Sequence, residues 1–149
     1  MQPLQFLVPI DALEAVGGIL PVAVLVLVIL NMITRILQHN HHKRQLREND
    51  GDEAITRWLP HTLTTLGMVL LSFLYLIVAP HGGMVLSVLV VTVFIADFFG
   101  FESRKVEARS KSKDLERPIP AVGASVFALI YAAYQSFFFL IEPLWNSII

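Results

Sequence analysis

The chain contains no cysteine. Disulfides, thiolate metal sites, cysteine nucleophiles and thiol redox chemistry are therefore excluded. Charge is also scarce. Only 15% of the 149 residues are Asp, Glu, Lys or Arg, against about 25% in a soluble domain, so a globular surface could not be covered with polar groups. Positive charge is missing altogether from residues 1–34, 58–103 and 118–149, and all eleven Lys and Arg lie within 35–57 and 104–117. A net charge of −1 argues against a general nucleic-acid binder.

Motifs that carry chemistry are missing too. There is no Walker sequence, no Gly-rich nucleotide loop after a strand, no Gly-x-Ser-x-Gly and no His-Glu-x-x-His. No enzymatic activity and no cofactor are expected. His61 and His81 lie at opposite ends of one apolar run, which excludes a haem pair because axial ligands face each other at one depth.

What fills the space is apolar. Hydrophobic residues make up 55% of the chain, and the mean hydropathy is +0.66. Four runs, at about 18–37, 59–79, 83–101 and 119–141, have the roughly 20 residues that a membrane-crossing helix needs. Backbone groups in lipid must be paired internally, which favours helices. Stretches such as Val22–Leu30 and Val85–Val91 lack the alternating polarity of a β-barrel. The N-terminal run reads as a span rather than a cleaved signal peptide, because it is long and no basic residue precedes it.

Basic residues stay on the cytoplasmic side. The loops at 38–58 and 102–118 are therefore expected in the cytoplasm, with both termini and the turn Pro80–Gly83 outside. The expected fold is all-α: one domain over 1–149, a polytopic four-transmembrane-helix bundle, N-out and C-out, multi-pass in the cell membrane. Trp58 and Trp145 suit the two interfaces. Asp11 and Glu14 fit a capping box with Ile10 as a staple, and Gly17-Gly18 before Pro21 suggest a bend into the first span. Glu102–Arg109 can extend the third span as helix, Ser110–Asp114 breaks it, and Pro118 and Pro120 suit the start of the fourth.

Asp97 is the leading functional candidate, because intramembrane carboxylates are costly. It lies about one turn inside the cytoplasmic end of the third span. The bland alternative is a structural ion pair with Arg35 or Arg57. By topology Asn31, Thr64, Thr65 and Ser125 share its depth, so the five could form a cytoplasm-facing polar site; the ordinary alternative is that each bonds a neighbouring helix. In the outer half Tyr75, Tyr131, Tyr134 and Gln135 carry no ligand signature. Ala124, Ala128, Ala132 and Ser136 recur every four residues, a spacing that lets helices approach closely in lipid, while Phe127, Tyr131, Tyr134 and Phe138 form a bulky face. His39, His41 and His42 are weak metal candidates in what reads as a flexible loop, followed by Glu48, Asp50, Asp52 and Glu53. Lys43, Arg44, Arg47, Arg104, Lys105 and Arg109 are expected to touch anionic lipid headgroups.

Met1–Phe6, Pro80–Met84, Ala96–Phe99, Arg104–Arg109 and Tyr131–Ser136 together resemble a family of small, uncharacterised four-span membrane proteins of halophilic archaea. The resemblance covers nearly the whole chain. It implies no assigned activity and carries over no functional residue. The lack of cysteine fits such a source, and the weak net charge fits it less well. Membranes rich in anionic lipid would suit both basic segments.

Three functions follow from these readings. The first is a structural or accessory subunit that packs on a membrane-protein partner or on itself as a homo-oligomer. The second is a small oligomeric transporter or channel working through Asp97. The third is a sensor of pH or metal at the histidines. No nucleic-acid partner is expected.

Overall fold

The computed structural model describes residues 15–48, 55–109, 115 and 117–148. Its four helices are α1 (Leu20–Glu48), α2 (Leu59–Val78), α3 (Pro80–Arg109) and α4 (Ile119–Ile148). All four are long and apolar enough to cross a membrane. A proline stands in the first two positions of each: Pro21, Pro60, Pro80 and Pro120. A first-turn N–H has no partner within its helix, so proline loses nothing there, and its fixed φ prepares the turn.

Consecutive helices pack against each other, and α1 packs against α4, which closes an up-down-up-down ring. The basic segments therefore collect at one end of the bundle. Each helix buries one stripe. On α1 this is Leu20, Val24, Val28, Asn31, Arg35, Gln38, His42 and Leu46; on α2 it is His61, Thr65, Met68, Ser72 and Tyr75. Steps of three and four keep each stripe on a single helical face. The opposite faces leave large apolar side chains such as Leu63, Leu70, Val88 and Phe127 exposed, as lipid requires.

The α2–α3 turn is tight because α3 starts one residue after α2 ends and at once crosses close to it. Gly83 lies against the backbone of Tyr75 and Leu76, where any Cβ would collide. One turn on, Ser87 Oγ donates to Ser72 O at 3.0 Å. On α4, Ala128, Ala132 and Ser136 are buried while Phe127, Tyr134 and Phe138 point outward. The buried face of α4 is thus thin enough for close packing.

Three expectations need correction. The histidine segment is helical, not a loop, since α1 runs on to Glu48. The loops are accordingly shorter than 38–58 and 102–118, because α3 also continues to Arg109. At 1.5 Å per residue α1 and α3 are each about 44 Å long, and both overrun a hydrocarbon core of about 30 Å. Their projecting ends are held by a second small core of Leu46, Ile55, Phe101 and Leu115. Apolar contact rewards continuing the helix where charge alone suggested a loop. Arg104 is the third correction. It is 5% exposed, inside the bundle, not at a headgroup surface. A turn over 16–19 precedes α1 at the two glycines. The capping residues Ile10, Asp11 and Glu14, the acidic Asp50, Asp52 and Glu53, and the break over 110–114 lie outside the described residues, as do the side chains of Arg109 and Trp145.

Candidate functional site

Arg35 organises the interior of the basic end. Its Nε donates to Asp97 Oδ1 at 3.1 Å, and Nη2 donates to Asp97 Oδ2 at 2.8 Å. This is the two-pronged fit of a planar guanidinium to a carboxylate. Nη2 also donates to Asn31 Oδ1 at 2.7 Å, and Nη1 to Ser125 Oγ at 2.7 Å. Four of the five guanidinium N–H groups are thereby used. Arg35 is 2% exposed and Asp97 15%, so the charges are desolvated and compensate each other.

The network reaches α2 by two routes. Asn31 Nδ2 donates to Thr64 Oγ1 at 3.0 Å and Thr65 Oγ1 at 2.8 Å. Each hydroxyl passes its own proton back to His61 O. His61 Nε2 lies 3.2 Å from Asp97 Oδ2, and Nδ1 lies 2.8 Å from Thr34 Oγ1. The Thr34 hydroxyl can instead donate to Asn31 O at 2.9 Å. With that alternative acceptor, Thr34 satisfies His61 whether Nδ1 carries a proton or not. The geometry therefore suits both the neutral imidazole and the imidazolium. A cavity of about 60 Å³ beside the ring, lined by Gln38, His61, Thr65 and Asp97 among others, holds a few waters at most.

All five candidates therefore join one network: Asn31, Asp97 and Ser125 bond Arg35, and Thr64 and Thr65 are reached through Asn31. Of the two cations named as partners for Asp97, Arg35 makes the pair. Arg57 lies over the Phe101 ring, 4.2 Å from its centroid, and 3.7 Å from Glu102. Thr34, Arg35 and His61 are the members that sequence reasoning did not assign to the site. A signal for Arg35 existed. On α1 the polar positions 31, 35, 38 and 42 continue the steps of the apolar positions 20, 24 and 28 without a change of phase. His61 lies one turn before Thr64 and Thr65, on their face.

Nearer the basic end, buried His42 places Nε2 2.9 Å from Thr56 O and Nδ1 3.3 Å from Arg104 Nη1. The carbonyl requires a proton on Nε2, so Nδ1 is the acceptor for Arg104. His42 thereby ties α1 to α3 a second time. Among the described residues no cluster of three or more His, Asp or Glu is arranged to hold a metal. Lys43, Arg44 and Arg47 are exposed at the end of α1, and Lys105 is half-buried.

Above the polar layer the core is mainly apolar, with Ser72 and Ser87 buried in it. Val24, Val28, Met68, Leu86, Val90, Val93, Ala128 and Ala132 are at most 1% exposed. Beyond them Tyr75 donates to Gln135 Oε1 at 2.7 Å, and Gln135 donates to Tyr131 Oη at 3.1 Å. Gly82 leaves the space that Gln135 Oε1 fills. Tyr134 takes no part and faces outward.

A family model described as a domain of unknown function, DUF7313, matches residues 2–149. The chain belongs to that family. No curated protein and no solved structure matches it. The DUF7313 description assigns no activity, so function has to be argued from the geometry of the four helices.

Proposed function

We propose that the protein is a structural or accessory component of the cell membrane, packing in a larger or homo-oligomeric assembly and catalysing no reaction. The apolar layer between Asp97 and Tyr75 carries this reading. Among the described residues, eight apolar side chains at 0–1% exposure fill the middle of the bundle, which argues against a solute path through one chain. Asp97 supports it further, since its carboxylate is paired with Arg35 and hydrogen-bonded by His61. The basic end would face the cytoplasm, with Lys43, Arg44, Arg47 and Lys105 on anionic headgroups. Membranes of halophilic archaea would offer such lipids.

Gentle detergent extraction of the native protein, followed by size determination and mass spectrometry, tests the proposal. A stoichiometric membrane-protein partner or a stable homo-oligomer is expected. A lone monomer would sink it.

One observation favours a second reading, an oligomeric transporter or channel with its path between copies. His61 touches Asp97 and accepts either protonation state without losing a partner. That reading expects Asp97→Asn to abolish proton or ion flux in vesicles at unchanged oligomeric state. Preserved flux would remove Asp97 from transport.

A further inference from the structure

We propose that the groove between α1 and the start of α4 is a binding site for one anionic phospholipid. Its phosphate would lie on Arg117 and His39, and an acyl chain over Met32, Ile36, Ile119 and Val122. The groove has a volume of about 400 Å³ and is lined by those six residues with Arg35 and Pro118. Its charge is of one sign, with two guanidinium groups and an imidazole but no carboxylate in the lining. The Arg35 charge is already matched by Asp97, so Arg117 supplies the net positive charge. His39 Nδ1 is buried without a hydrogen-bond partner. Such an atom has a cost until a partner arrives; burial and the neighbouring Arg104, Lys43 and Arg117 lower the His39 pKa, and the neutral ring in its Nδ1–H tautomer can donate to a phosphate oxygen.

Depth selects a lipid. His39 lies nineteen residues beyond Leu20, roughly 28 Å along the helix, which brings it to the edge of a core of about 30 Å. A headgroup phosphate sits at that level, and the apolar wall beside it continues into the hydrocarbon. Free phosphate would leave that wall uncovered. Across α4 a cavity of about 250 Å³ makes a useful contrast. It also holds Arg117, with Arg104, but Asp97 and Glu107 line it too, so an anion gains less there. Basic pockets between membrane helices are suited to anionic headgroups on these physical grounds.

The site depends on the chain lying in a membrane and not on the accessory reading, because it lies within a single copy. The test is native mass spectrometry of the full chain released from nanodiscs of phosphatidylcholine containing phosphatidylglycerol. The parent is expected to retain one phosphatidylglycerol in preference to phosphatidylcholine. Arg117→Gln should lower that retention about fivefold. Val122→Trp should lower it by filling the groove at unchanged charge. Arg57→Gln, which removes a charge that lies over Phe101 and outside the groove lining, should leave it unchanged. Equal retention by Arg117→Gln and the parent would overturn the proposal, as would equal retention of the two lipids. Binding of inorganic phosphate alone, with no lipid retained, would overturn it in favour of a free-anion site. Arg117 is exposed and precedes α4, so its variant decides the matter even if Val122→Trp does not fold.

Discussion

Asp97 shows how a single intramembrane carboxylate acquires a structural task. Alone it would be expelled or protonated; beside Arg35 it stays paired and holds α1 to α3 across the bundle. Removing one partner strands the other charge. Asp97→Ala is therefore expected to destabilise the bundle by about 3–5 kcal/mol, the typical cost of breaking a buried pair from one side. Replacing both, as Arg35→Met with Asp97→Leu, should recover most of that loss, since apolar substitutes of similar volume are often neutral. Melting curves in detergent for the parent, each single variant and the double variant measure the coupling. Additive losses would show that the two residues do not act as a pair. The existence of Asp97 as a candidate was legible in its unusual position. Its choice of Arg35 over Arg57 was not, because both lie within reach on topology alone.

Helices differ in what each glycine does for them. Gly83 is a close-approach position, where a Cβ would strike the backbone of Leu76 and Tyr75, which no rotamer change can relieve. Gly100 has nothing within 4 Å of the Cβ it lacks. Gly83→Ala should force α2 and α3 apart and cost about 1–3 kcal/mol, as overpacking does. Gly100→Ala should be neutral or stabilise α3 by up to roughly 1 kcal/mol, the propensity gain of alanine over glycine. Thermal unfolding of the two variants side by side tests this, and equal effects would contradict the packing described. The small stripe of α4 could be read from its four-residue spacing. The matching pair Gly83 and Ser87 on α3 has the same spacing, but two positions make too short a pattern to stand out.

At the scale of the whole molecule, the up-down-up-down path collects the basic residues among those described at one end. If that end faces the cytoplasm, the start of α1 and the end of α4 lie on the other side. The natural absence of cysteine allows a clean measurement, because single cysteines can be introduced without background. Lys43→Cys should resist an impermeant maleimide in intact cells, and Ser147→Cys should react. The reverse labelling would invert the topology while leaving the bundle as described. Either result bears on which membrane leaflet supplies the lipid at Arg117.

Sequence alone determined the four spans, the all-helical class and the segregation of charge. These depend on hydrophobicity and length, which are summed along the chain and need no knowledge of neighbours. The ends of α1 and α3 were decided by contact, since Leu46, Ile55, Phe101 and Leu115 come together only after the helices are placed. The same holds for the polar site. Asn31, Arg35, His61, Asp97 and Ser125 are spread over 95 residues of chain, and each could have bonded its own helix neighbours. Only the rotation of each helix about its axis, set by how the buried stripes interlock, turns these side chains toward one guanidinium.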